Sequence, residues 1–138
     1  MDKKQFQSLL GMARIFQRVD PDRADFWRGF QRGLRRLHHQ EVKIWENFGT
    51  VEEHMKFLNC RNGEFRRDFQ FGYRAGFYRE EIRLESEADI QPLRKLLGLS
   101  VADLAEIAAV SPRTVEGWEQ GRPMAESARQ LIKKYLII

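Results

Sequence analysis

Apolar residues recur along this chain at intervals of three and four positions, which is the period of an α-helix with one buried face. A first helix is indicated by the stripe Phe6, Leu9, Leu10, Ala13 and Phe16. After a start signal at Asp20 and Pro21, a second helix is indicated by Phe26, Phe30, Leu34 and Leu37. The same period returns in the stripe Phe65, Phe69, Tyr73 and Phe77. The fold class predicted from this pattern is all-α.

Two of these stripes belong to similar segments. Residues 25–36 read DFWRGFQRGLRR and residues 68–79 read DFQFGYRAGFYR, an offset of 43 positions. They share the opening Asp and Phe, two glycines spaced four apart and the closing Arg. A capping box of Thr50 and Glu53 predicts a short helix through Leu58, ahead of the second copy. The first part of the chain is therefore predicted to contain two helical hairpins related by an approximate repeat.

Each copy of the repeat carries a Gly-x-x-x-Gly sequence inside its helix. The four glycines are Gly29, Gly33, Gly72 and Gly76. Glycine inside a helix costs about 1 kcal/mol relative to alanine, so a compensating interaction is expected at each position. We expect close contact with another helix backbone. The alternative is a face that admits a ligand or a nucleic-acid backbone.

Charge and composition narrow the class of protein. Residues 1–85 carry 17 Lys and Arg against 13 Asp and Glu, whereas residues 86–138 carry seven of each. This basic excess in the first part is a mild indication of a polyanionic partner. The single cysteine, Cys60, excludes an intramolecular disulfide. There is no apolar run long enough for a secretion signal or a membrane span, so a cytoplasmic location and no membrane association are expected.

The last third of the chain combines helix stops and helix caps at short spacing. Such signals occur in order at Gly98, Ser100, Ser111, Pro112 and Gly121. A small residue at 105, a turn at 109 and apolar residues at 110, 115 and 118 have the spacing of a helix-turn-helix. Two domains are therefore predicted. Residues 1–85 form a helical domain for dimerisation or partner binding, and residues 86–138 form a helix-turn-helix domain.

The segments LRKLLGLS, LAEIAAVSPRTV and WEQGRP carry a resemblance to a known family. With them, residues 89–136 resemble the xenobiotic-response-element (Cro/cI-like) helix-turn-helix family, in the variant found in antitoxin-type regulators. The resemblance implies an ion pair between Arg94 and Glu119 that holds the fold. Val101 departs from the family pattern, which has a phosphate-binding Gln there. Ala109 replaces the usual Gly, which costs on the order of 1 kcal/mol if its φ is positive.

The residues expected to contact DNA lie on the exposed face of the third helix of this domain, opposite Val115 and Trp118. They are Ser111, Pro112, Arg113, Thr114, Glu116, Gly117 and Gln120. Arg113 is the best candidate for a bidentate contact to guanine. Gln120 is a candidate for adenine or phosphate, and Glu116 for cytosine or for rejection of wrong sequences. Thr114 and Ser111 are expected to cap the helix or bind phosphate.

The expected function is a sequence-specific DNA-binding transcriptional regulator, a repressor that binds a near-palindromic operator in double-stranded DNA as a homodimer. In a second interpretation, residues 1–85 bind a protein partner such as a toxin, and the chain is an antitoxin or a phage or mobile-element autoregulator. In a third, the arginines and aromatics of the repeats bind RNA or the ribosome, because F-x-x-G-[FY]-x-x-G resembles the ribosome modulation factor. A possible accessory basic surface on one helix face consists of Arg28, Arg32, Arg35 and Arg36.

Catalysis and metal binding are not expected. The candidate metal ligands are His38, His39, His54 and Cys60, and their spacing matches no established ligand pair. The chain has no Gly-rich phosphate loop and no nucleophile motif. Neither an enzymatic activity nor a cofactor is therefore predicted.

Overall fold

The computed structural model describes residues 2–39 and 67–138, and these contain seven α-helices and no strand. The all-α prediction is confirmed. The chain divides into two compact units, Met1–Glu80 and Glu81–Ile138. None of the helices in the described ranges is both long enough and apolar enough to cross a lipid bilayer. The predicted capping box at Thr50 and Glu53, the short helix through Leu58 and the position of Phe65 lie outside the described residues.

The first unit contains α1 (Lys3–Val19), α2 (Ala24–His39) and α3 (Arg67–Phe77). Asp2 begins α1 with a capping box, in which its side chain accepts from the backbone N–H of Gln5. Between α1 and α2 the chain makes a 3₁₀ turn, Pro21–Arg23, and the Asp20 side chain forms no capping hydrogen bond. The start signal therefore produces a tight turn before α2.

The helices α1 and α2 form an antiparallel hairpin. Phe6 near the start of α1 stacks on His38 near the end of α2, with ring centroids 4.0 Å apart. At the other end Phe16 stacks on Trp27 at 4.9 Å. Between these stacks the side-chain amide of Gln31 donates to Oε1 of Gln17 at 2.7 Å. These contacts fix the register of the hairpin.

The helices α2 and α3 contact each other through their backbones at the four repeat glycines. A Cβ atom added to any of the four would lie within 3.0 Å of a backbone oxygen of the opposite helix. The contacts are reciprocal: they pair Gly29 with Phe69, Gly72 with Phe26, Gly33 with Tyr73 and Gly76 with Phe30. The expected reason for the glycines, close approach of a second helix, is what the structure shows. The sequence offset of 43 positions relates each contact to its counterpart.

The second unit contains four short or medium helices behind a 3₁₀ turn at Glu87–Asp89. These are α4 (Ile90–Leu97), α5 (Val101–Ala108), α6 (Pro112–Glu119) and α7 (Glu126–Leu136). Its fully buried side chains include Ile90, Leu97, Leu104, Val115, Ile132 and Leu136. Nη1 of Arg129 donates to the backbone oxygen of Glu85 at 2.7 Å. This contact joins Glu85, the last residue before the predicted boundary, to α7 of the second unit.

Candidate nucleic-acid interface

The segment from α5 to α6 is fixed by local backbone contacts. Ser100 caps α5 in a capping box with Asp103. The helix ends at Ala109, which is left-handed at φ 57° and ψ 43°. The N–H of Val110 then donates to the oxygen of Ala105 at 3.0 Å, which closes a Schellman-type stop. Ala109 thus adopts a positive φ at the position where the family that the sequence resembles usually has glycine.

The next helix, α6, begins two residues later with its own cap. The hydroxyl of Ser111 accepts from the N–H of Thr114 at 3.3 Å, and Pro112 occupies the first turn. The two hydroxyl oxygens of Ser111 and Thr114 are 3.0 Å apart. Both residues are exposed, so their side chains are engaged with each other and with the helix start while remaining on the surface.

Around its axis α6 has one buried and one polar face. Val115 is 0% exposed and Trp118 4% exposed, and both belong to the core. The predicted contact residues that are exposed are Ser111, Pro112, Arg113, Thr114, Glu116 and Gln120. This face presents a guanidinium, a carboxylate and a carboxamide side by side. These are groups that can pair with the edges of bases in a major groove.

Gly117 does not belong to that exposed set, contrary to the sequence prediction. It is buried because the side chain of Arg122 covers it; a Cβ at 117 would lie 3.0 Å from Cδ of Arg122. Gly121 (φ 96°) reverses the chain, and the N–H of Arg122 donates to the oxygen of Gly117 at 2.9 Å. The turn that ends α6 therefore places the side chain of Arg122 against Gly117, where the absence of a Cβ leaves space.

Arg122 is a candidate contact residue that the sequence pattern did not predict. Its side chain crosses the face that also carries Arg113, and the residue is exposed. Arg122 could have been predicted from the two glycines that precede it, Gly117 and Gly121. A glycine stop brings the following residue back over the last turn of the helix.

Arg94 and Glu119 form the ion pair that the family resemblance implied. Nε of Arg94 donates to Oε1 of Glu119 at 2.8 Å, and the two side chains are only 19% and 15% exposed. Arg94 also donates through Nη1 to the backbone oxygen of Leu99 at 3.2 Å. The pair joins α4, the start of α5 and α6, and so it holds α6 in place and is not part of the exposed face of that helix.

The four residues predicted to form an accessory basic surface on α2 differ in exposure. Arg28 and Arg35 are exposed, but Arg36 is buried at 6% exposure and Arg32 is half-buried. Arg36 follows Gly29 and Gly33 by seven and three positions, so it continues the stripe that faces α3. Its inclusion in an exposed surface is therefore contradicted by its burial.

In the described part of the chain, no group of three or more His, Cys, Asp or Glu side chains is placed to hold a metal ion. Of the four candidate ligands, only the side chain of His38 is described there. His38 instead stacks on Phe6. His54 and Cys60 lie outside the described residues.

Comparisons with known proteins give no match: no protein-family model, no curated protein and no solved structure matches this chain. A function can therefore be proposed only from the chain's own residues. Its basis is the exposed face of α6 together with the ion pair that supports it.

Proposed function

We propose that this chain is a sequence-specific DNA-binding transcriptional regulator, and that α6 is its recognition helix. The observation that carries the proposal is the division of α6 into a core face and an exposed polar face. Val115 and Trp118 anchor the first, and the second presents Arg113, Glu116 and Gln120. A helix held in this way can enter a major groove and present its polar side chains to base edges.

Each exposed side chain has a role that follows from its chemistry. Arg113, in the first turn, makes a bidentate contact to guanine; Gln120 pairs with adenine or with a phosphate. Glu116 accepts from cytosine and repels phosphates when the register is wrong. Arg122 adds a second positive charge next to Gly117 and contacts the backbone of the groove wall.

The proposed mode of action is repression by occupancy. Two copies of the chain place their α6 helices in successive major grooves, about 34 Å apart, on a near-palindromic operator. Dimerisation is part of the proposal because one short helix reads only a few base pairs. The test of this part is the mass of the full chain in solution, alone and with a duplex that carries one or two half-sites.

The test of the recognition role is a selection of bound sequences from a random pool of duplexes, followed by variants on the selected operator. Arg113→Ala is expected to weaken operator binding by about 1–3 kcal/mol and to relax the preference at one base pair. Lys134→Ala removes the same charge from an exposed position on α7 and serves as the matched control. Equal reductions for both variants, or no enriched sequence at all, would contradict the proposal.

A second candidate function is binding of a protein partner, as in an antitoxin, through the first unit. The observation that favours it is an apolar stripe on α1. Ile15 is 54% exposed, Val19 is 69% exposed and Met12 is 37% exposed, with the helical spacing of a single face. This function is compatible with DNA binding by the second unit, because the two use different parts of the chain.

A further inference from the structure

The hairpin of α1 and α2 concentrates positive charge. Residues 2–39 carry nine Lys and Arg against four Asp, and the sequence of α1 contains no acidic residue. By contrast, residues 86–138, which include the proposed recognition helix, carry seven charges of each sign. The part of the chain proposed to read bases therefore has no excess charge with which to attract phosphates.

The register of the hairpin places Arg14 of α1 near Arg35 of α2, and Arg32 lies one turn before Arg35 on the same helix. Burial lowers the pKa of Arg35, and the neighbouring charges of Arg14 and Arg32 lower it further. The hydrogen bond between Gln17 and Gln31 sets the register of the two helices. Arg18 follows Arg14 by four positions and therefore lies on the same face of α1. We refer to Arg14, Arg18, Arg32 and Arg35 as the arginine cluster.

The cluster is an unfavourable arrangement unless an anion binds to it. Within the described part of the chain no carboxylate pairs with any of its four members. Nε of Arg32 is buried and has no hydrogen-bond partner. Arg28, one turn away on α2, differs because it pairs with Asp25. Like charges held together without a counter-charge destabilise a fold, and they suit a surface that recruits a polyanion.

We propose that the arginine cluster binds the phosphate backbone of duplex DNA without reading its sequence. This inference rests on the proposed function, because it supplies the phosphate contacts that residues 86–138 lack. Neutralised phosphates provide essentially all of the non-specific affinity of a DNA-binding protein and a large share of the specific affinity. Guanidinium groups are well suited to this role because they bind phosphate oxygens in a bidentate way.

The experiment measures binding of the full chain to a labelled duplex of scrambled sequence over a range of salt concentrations. Arg35→Gln is compared with Lys4→Gln, which removes one positive charge from an exposed residue of the same hairpin outside the cluster. Removal of one phosphate-binding arginine is expected to weaken binding about fivefold at 0.15 M salt and to reduce the salt slope by about 0.9. Arg14→Gln/Arg35→Gln is expected to weaken binding about 25-fold on the same basis. Its Tm is expected to be unchanged or higher, because a repulsion is relieved.

The possible outcomes separate this inference from the function on which it rests. The ratio of affinities for a selected operator and the scrambled duplex reports base reading by α6, whereas the affinity for the scrambled duplex reports the cluster. An equal weakening in Lys4→Gln, or a lower Tm in the double variant, would overturn the assignment. So would tighter, cluster-dependent binding to a structured RNA at the same salt concentration, since the surface would then be an RNA site.

Discussion

In the first unit, α2 and α3 are in direct backbone contact. In the second unit, short helices end in capping interactions and pack through their side chains. The contact of α2 with α3 depends on four glycines, which bring main chains together over two turns of each helix. The second unit depends on the caps of Ser100 and Ser111, a left-handed stop at Ala109 and the pair Arg94–Glu119. A close backbone contact cannot accommodate an added atom, whereas caps can be removed one at a time. The two units should therefore respond very differently to small substitutions.

The largest effect is expected from Gly72→Ala. The new Cβ would lie within 3.0 Å of the backbone oxygen and carbonyl carbon of Phe26, which cannot turn aside as a side chain could. We expect a decrease of about 3 kcal/mol or more in the free energy of unfolding of the first unit, at the upper end of overpacking effects. Chemical denaturation followed by circular dichroism measures it.

The control is the same substitution at Gly11, where nothing lies within 4 Å of the added Cβ. Gly11→Ala should stabilise the unit by up to about 1 kcal/mol, because alanine is the better helix former. If the two variants unfold alike, backbone contact does not hold the first unit.

A smaller decrease in stability is expected from Glu119→Ala. The substitution leaves the half-buried guanidinium of Arg94 without its carboxylate, which should cost about 2 kcal/mol. The base preference of the protein that remains folded should not change, since the pair does not belong to the exposed face. The control is Glu126→Ala, which removes the exposed pair with Arg129 and should leave the unfolding midpoint close to that of the parent. Altered base preference at unchanged stability would assign Glu119 to the recognition face instead.

Removal of one cap should have a still smaller effect. Ser100→Ala abolishes the bond that its hydroxyl accepts from the N–H of Asp103 at 3.1 Å, and stability should fall by about 1 kcal/mol. Ser127, an exposed residue of the first turn of α7, provides a serine-to-alanine control without a cap role. Thermal denaturation of the two variants should separate them. Equal midpoints would mean that the capping box contributes nothing to the second unit.

The smallest expected effect has the opposite sign. Ala109→Gly should stabilise the second unit by up to about 1 kcal/mol, because φ is 57° there and glycine adopts that conformation without strain. Ala102→Gly, at an exposed helical position of the neighbouring α5, should destabilise it by about 1 kcal/mol. Both changes are measured by thermal denaturation of the full chain. A lower stability of Ala109→Gly would show that the turn is not strained.

Structural features that depend on residues close together in the chain could be predicted from the sequence. The stop at Gly98, the caps at Ser100 and Ser111 and the core role of Trp118 follow from signals a few positions apart. The repeat glycines could be identified as helix-contact residues because their cost within a helix requires an explanation. Which backbone atom each one would meet could not be predicted, since that depends on residues about forty positions away.

The two wrong assignments have a shared physical cause. Gly117 and Arg36 were placed by helical periodicity on faces assumed to be exposed, but periodicity gives only the angle around an axis and not what covers it. Arg122 returns over Gly117, and Arg36 is only 6% exposed.

The reciprocal glycine contact also affects the order in which the protein is completed during synthesis. Translation proceeds from the N-terminus, so α2 emerges from the ribosome before α3 has been made. Gly29 and Gly33 then lack the backbone of Phe69 and Tyr73, and they reduce the helix propensity of α2 without any compensating contact. The contacts between α5 and α6 span only a few residues, and contacts of such short range form quickly. The contact of α5 with α6 can therefore form as soon as α6 appears, whereas the glycine contact of α2 needs α3.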